Sequence, residues 1–139
     1  MYVALCEFFA KSPTCTAFSL LLLISVGSSV AAETVNPEGS WSGSGRVYFP
    51  SGDSEKARCR ATFTQRGGNG LSMVALCATA AARLQQTAVL ERVGTNRFIG
   101  DFQNPEYGVS GTISITVVGG TLNALLSGGG GGAEFRLNR

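Results

Sequence analysis

The sequence predicts an all-β domain: a small antiparallel meander of about eight strands, closed or nearly closed into a barrel, with one internal disulfide. Three observations carry this reading. Beyond residue 32, apolar residues recur at every second position, the period of a half-buried strand. Each alternating run ends in a cluster of glycine, proline, asparagine or serine, the residues that turns require. And Cys59 and Cys77 stand at equal distances from the break Gly67-Gly68-Asn69.

The segment ahead of the domain is of another kind. Residues 16–32 read TAFSLLLLISVGSSVAA, an apolar run with Lys11 before it and small residues at its end. Its apolar core is about 14 residues long, short of the ~20 needed to span a bilayer. Residues 1–32 are therefore read as a secretory signal peptide with Val30-Ala31-Ala32 at the cleavage site, and 33–139 as a small exported β domain. Cys6 and Cys15 belong to the part expected to be removed, and no transmembrane span is expected after it. The expected location is periplasmic or secreted. Lys11 and Lys56 are the only lysines, the other basic residues being arginine, which together with abundant Ala and Gly fits a GC-rich bacterial coding sequence.

The strands follow in order. In 40–49, Trp41, Gly43, Gly45, Val47 and Phe49 fall on one side, and Ser42, Ser44, Arg46 and Tyr48 on the other. PSGDS then turns the chain. In 55–66, Ala57, Cys59, Ala61 and Phe63 share one face, opposite Lys56, Arg58, Arg60, Thr62, Thr64 and Arg66. After Gly67-Gly68-Asn69, Leu71, Met73, Ala75 and Cys77 keep the same alternation. Further runs occupy 83–91, 97–102, 108–117, 121–127 and 133–138, broken by VGTN, NPEYG, GG and the pentaglycine segment. Residues 76–93 are the one helical competitor, rich in Ala, Leu, Gln and Glu; tertiary pairing often overrides propensity, and Cys77 at its start argues for strand. The run SGGGGGA at 127–133 is expected to be a flexible loop that weakens the last strand.

Pairing symmetric about Gly68 sets Phe63 against Met73, Ala61 against Ala75 and Cys59 against Cys77. Directly opposed residues lie ~4.5–5.5 Å apart at Cα, within reach of a disulfide. An exported chain meets the oxidising conditions that such a bond needs. Closing the loop between them stabilises the domain by about 3 kcal/mol through the unfolded state. A zinc site wants about four ligands, and the chain has His 0. A redox pair would show C-x-x-C spacing, which is absent. No metal and no cofactor are expected.

The segments GSWSGSGRV (39–47), GDSEKARCRATF (52–63) and Cys77-Ala78 resemble a family of small exported alphaproteobacterial β proteins without an assigned activity, marked by G-x-W-x-G-x-G and R-C-R-A…C-A. The resemblance covers most of the domain, is strongest over 39–78, and implies compartment and fold class alone. A looser similarity is to lipocalin- and avidin-like barrels, in which an early G-x-W packs against one end; Gly39 and Trp41 would take that place.

Chemistry is sparse. With His 0, neither a Ser-His-Asp nor a Cys-His arrangement can form. The acids are scattered, and Asp53 and Glu55 read as solvated turn residues rather than a catalytic pair. The chain is not expected to be an enzyme. A net charge of +2 is too small to imply a nucleic-acid partner. Lys56, Arg58, Arg60 and Arg66 share one strand face, a candidate surface for an anion or protein partner whose plainer reading is a solvated outer wall. Trp41, Phe49, Phe63, Met73, Phe98, Phe102 and Phe135 are expected to point inward, as solid core or as the lining of a cavity. The functions left open are a non-enzymatic binding or envelope-associated module, a carrier of a small apolar ligand, and an inhibitor or partner of an envelope-directed protein such as lysozyme.

Overall fold

The computed structural model describes residues 27–139, so most of the segment read as a signal peptide, with Cys6 and Cys15, lies outside the described residues. Eight strands follow one another: β1 (Gly39–Tyr48), β2 (Ser54–Arg66), β3 (Gly70–Ala78), β4 (Arg83–Arg92), β5 (Arg97–Asn104), β6 (Val109–Val118), β7 (Thr121–Gly128) and β8 (Gly131–Asn138). Each pairs antiparallel with the next, and β1 returns to β8, so the sheet closes into a barrel with no free edge.

The expected register of the first hairpin is the observed one. Phe63 faces Met73, Ala61 faces Ala75 and Cys59 faces Cys77. The two cysteines are bonded, with Cα atoms 4.1 Å apart. A one-residue slip would turn every side chain of a strand to the opposite face, so this covalent pairing holds the alternation of β2 and β3 in phase. Ala57, Cys59, Ala61 and Phe63 are buried on β2, as are Leu71, Met73, Ala75 and Cys77 on β3.

The helix-prone stretch 76–93 is strand, turn and strand. The Thr79 amide donates to the Ala82 carbonyl at 2.9 Å, and its Oγ1 accepts from the amides of Ala81 and Ala82 at 3.2 Å each. β4 then lies between β3 and β5, whose ladders supply the backbone partners a helix would find within itself. Tertiary pairing overrides propensity here.

The pentaglycine segment is not the loop the sequence led us to expect. Gly128 ends β7, Gly131 and Gly132 begin β8, and only Gly129 and Gly130 form the turn, at φ 63° and 78°. Positive φ at both central residues is the two-residue hairpin geometry that matches strand twist. The last strand is well held, because β8 pairs with β7 on one side and with β1 on the other.

Closure depends on Gly43 and Gly45. A Cβ on Gly45 would collide with the Glu134 carbonyl and the Phe135 ring, and one on Gly43 would stand 2.9 Å from the Leu137 Cα. The missing side chains let the β8 backbone approach where the sheet must bend to meet itself.

Side-chain size is graded along the barrel. At one end Trp41, Phe63, Leu71, Leu90, Phe98 and Leu122 are almost wholly buried and fill the interior. Residues 35–38 cross that end as a strap. Trp41 Nε1 donates to the Pro37 carbonyl at 2.8 Å, and the Val35 amide donates to the Thr95 carbonyl at 3.1 Å. Arg92 donates to the Val35 carbonyl at 2.7 Å and covers the Phe98 ring at 4.4 Å. Arg139 donates to the carbonyls of Asn36 and Glu38 at 2.8 and 3.1 Å and covers the Trp41 ring at 4.5 Å. Trp41 thus closes one end, where the G-x-W similarity placed it.

Two outcomes in urea unfolding check this account. Gly45→Val is expected to lose about 3 kcal/mol through its clash with β8, whereas Gly67→Ala, whose methyl meets nothing within 4 Å, should stay within about 0.5 kcal/mol of the parent. The double variant Cys59→Ala, Cys77→Ala is expected to fold and to lose about 3 kcal/mol, with a lower urea midpoint.

Candidate functional site

The other end of the barrel is open. A cavity of about 330 Å³ descends from it, walled by β1, β2, β4, β5, β6, β7 and β8 and rimmed by Phe49, Ala82, Tyr107 and Gly129. It exists because the inward positions near this mouth carry little side chain. Gly128, Gly131 and Ala133 stand on its wall where the closed end has Trp41 and Phe98. Val47, Leu84, Phe102, Val109 and Leu126 make the rest of the wall largely apolar. Beneath it a void of about 20 Å³ reaches the disulfide, the two spaces sharing Gln86 and Leu126 as walls.

Polar side chains interrupt this lining, Asn104, Gln86 and Glu55 among them. Asn104 is 5% exposed, and its Oδ1 accepts from the Tyr107 amide at 3.3 Å, which fixes the β5–β6 turn against the mouth. Gln86 is half-buried on β4. Glu55 comes from β2, in the same inward phase as Ala57 and Cys59, and its Oε2 is buried with no hydrogen-bond partner. Among the described residues lining the cavity, Glu55 is the one acid, and neither lysine nor arginine is present.

Tyr48 and Glu134 tie β1 to β8 on the outside of the mouth. The Tyr48 hydroxyl donates to Glu134 Oε1 at 2.7 Å. That hydrogen bond raises the Tyr48 phenol above its ordinary 10.0, helped by partial desolvation and the negative charge of Glu134 and opposed by Arg46.

The residues singled out in the sequence divide between three places. Trp41, Phe63, Met73, Phe98 and Phe135 are buried and pack the interior below the cavity. Phe102, 4% exposed, forms cavity wall. Phe49 does not point into the interior: it is 40% exposed. Strand β1 ends at Tyr48; the Phe49 amide donates to the Asp53 carbonyl at 2.9 Å, and the Phe49 carbonyl accepts from the Gly52 amide at 3.0 Å. That turn breaks the alternation and sets the ring at the rim. Lys56, Arg58, Arg60 and Arg66 are all exposed on the outer face of β2. Neighbouring strands widen this basic wall, since Arg46 pairs with Lys56 across β1, and Ser44 lies between Arg58 and Arg136.

Glu55 is the residue that sequence reasoning missed. Asp53 is the exposed turn residue expected of it, accepting from Ser51 Oγ at 2.9 Å. Glu55 already belongs to β2. Its even spacing from Ala57 and Cys59 was the available signal, set against the general tendency of charged side chains to face water. Among the described residues, no group of three or more His, Cys, Asp or Glu could hold a metal ion.

No protein-family model matches the chain, and no curated protein matches it significantly. Solved structures share the fold. A redesigned β-barrel, mFAP1, bound to DFHBI superposes with a TM-score of 0.63 at 13% identity, covering 73% of this chain and 94% of that one. A fluorescence-activating β-barrel designed de novo gives 0.57 at 11% identity, covering 73% and 92%. Rv2717c from M. tuberculosis gives 0.51 at 14% identity, covering 73% and 91%. At such identities the likeness is one of fold: a small antiparallel barrel.

The Tyr48–Glu134 pair makes a prediction about pH. A phenol raised in the folded state contributes stability that is complete below its unfolded value, near pH 10, and is lost as pH rises through the folded value. In a near-ultraviolet absorbance titration, Tyr48 is expected to ionise above 10.0, the step assigned by its loss in Tyr48→Phe; Glu134→Ala should bring it down towards that value.

Proposed function

We propose that this protein is a non-enzymatic, periplasmic or secreted binding protein that carries a small apolar ligand in the open end of its barrel. The observation that carries the proposal is the cavity of about 330 Å³ with its apolar wall. Ligand sites are typically concave, apolar and ~300–1,000 Å³ in size. This one stands at the small end, which suits a compact one- or two-ring molecule better than a long acyl chain. A barrel of the same fold, mFAP1, is described as bound to a small molecule, DFHBI, which supports the architecture as a cup without identifying the cargo.

The remaining features agree with this reading. A lone cavity acid, in a chain with His 0, offers no acid–base pair, which supports a role in binding rather than catalysis. The Cys59–Cys77 bond favours an oxidising compartment. The inhibitor reading would want a protruding loop. Instead the connections are short, the longest being 49–53, itself wound into a turn by the Phe49–Asp53 and Gly52–Phe49 hydrogen bonds.

Titration with a neutral solvatochromic naphthalene dye tests the proposal. Saturable binding in roughly the micromolar range is expected. Ala133→Phe puts a ring into the cavity from its wall and should abolish binding while leaving the melting temperature unchanged or raised. Failure of any neutral aromatic probe to saturate, or undiminished binding by Ala133→Phe, would reject the cup.

A further inference from the structure

We infer that the cavity selects a cationic ligand, a compact aromatic or alicyclic body bearing a protonated amine, whose ammonium group docks on Glu55. The inference rests on the carrier reading above and adds the chemistry of the cargo.

Glu55 Oε2 is buried and has no hydrogen-bond partner. Burying a polar atom without a partner is unfavourable, the more so for an ionised one, and buried polar groups in folded proteins are nearly always matched. An ionised carboxylate only accepts, so what completes it must donate. Among the described residues no group donates to it. Across the sheet Glu55 is paired with Val47 on β1. On its other flank the cavity wall is the β3–β4 turn, with Thr79, Ala81 and Ala82. The nearest cations in sequence and register, Lys56 and Arg46, belong to the opposite phase of their strands, on the outer wall.

The same wall decides which donors are favoured. With no lysine or arginine among its described lining residues, the cavity has nothing to neutralise a ligand carboxylate, and Glu55 would repel one. A fatty acid or another organic anion is therefore disfavoured. A neutral hydroxyl would donate one hydrogen bond to the carboxylate. A protonated amine donates such a bond and adds the attraction of a full opposite charge, which grows where water is excluded, and it has further protons for the amide oxygens of Gln86 and Asn104 in the same cavity. Aromatic faces complete the environment: Phe102 lies on the wall and Tyr107 and Phe49 at the rim. An organic cation held within about 6 Å of such rings gains cation–π attraction, and more where water is excluded. A single inward acid among aromatic side chains in an apolar cup is a site for an ammonium group.

The test is a matched series sharing one naphthylethyl body and ending in a primary amine, an alcohol or a carboxylate, titrated calorimetrically into the folded protein. The amine is expected to bind at least about tenfold more tightly than the alcohol, and the carboxylate most weakly. In Glu55→Gln, which keeps the shape and removes the charge, the amine-to-alcohol ratio should collapse to near unity. Arg60→Gln, on the outer wall, should leave that ratio as it is in the parent. Equal binding of amine and alcohol by the parent protein, or a preference that survives Glu55→Gln in a variant with the parent's circular dichroism, overturns the inference while the carrier reading stands. If none of the three binds, both fall together.

Discussion

The close approach of β8 to β1 at Gly43 and Gly45 is the constraint on which the rest of the structure depends. Atoms of the β8 backbone occupy the space that side chains at these positions would need, so the barrel can shut only where β1 offers bare backbone. Without that seam the sheet would present two unpaired edges and a splayed interior. The seam also sets the gradient along the barrel. β1 moves from Trp41, which fills the closed end, through two glycines to Val47 at the mouth. One strand thus contributes the plug, the closure and part of the cavity wall.

The two ends differ in what they ask of their polar groups. At the closed end, Arg92 and Arg139 each donate to carbonyls of the strap and lie over an aromatic ring. A guanidinium suits both tasks, being planar, weakly hydrated and rich in donors. These groups find their partners inside the protein, which makes the closed end a rigid base. At the mouth, a carboxylate oxygen is buried with none. Such an imbalance is what the proposed ligand would relieve. The disulfide lies between the two regimes, beneath the cavity floor.

Strand β2 separates two electrostatic environments. Lys56, Arg58 and Arg60 face outward while Glu55 faces in. The period-two geometry of a strand makes this division sharp, since adjacent residues stand on opposite faces of the sheet. The cationic wall therefore leaves the interior acid without a partner, even though the two are neighbours in sequence.

Much of the fold was legible in the linear sequence. Alternation marked the strands. The spacing of Cys59 and Cys77 about Gly68 determined register and phase, because symmetric antiparallel pairing has no free parameter once the turn is placed. The site was legible only in part. Alternation places Phe102 on the cavity wall, but it does not hold for Phe49, which lies past the end of its strand, where turn hydrogen bonds override it. The charge of Glu55 points to solvent while its phase in β2 points inward. The glycine run at 128–132 looked like a flexible loop because composition does not report pairing; only two neighbouring strands, supplying partners to its backbone, make most of it sheet. By itself, then, the sequence determined local period, pairing and covalent brace, which are properties of near neighbours. Tertiary structure alone decided that the barrel is solid at one end and hollow at the other, and that a half-buried acid stands in the hollow. Those depend on how side chains from all eight strands sum in one enclosed volume, and no single stretch of chain contains that sum.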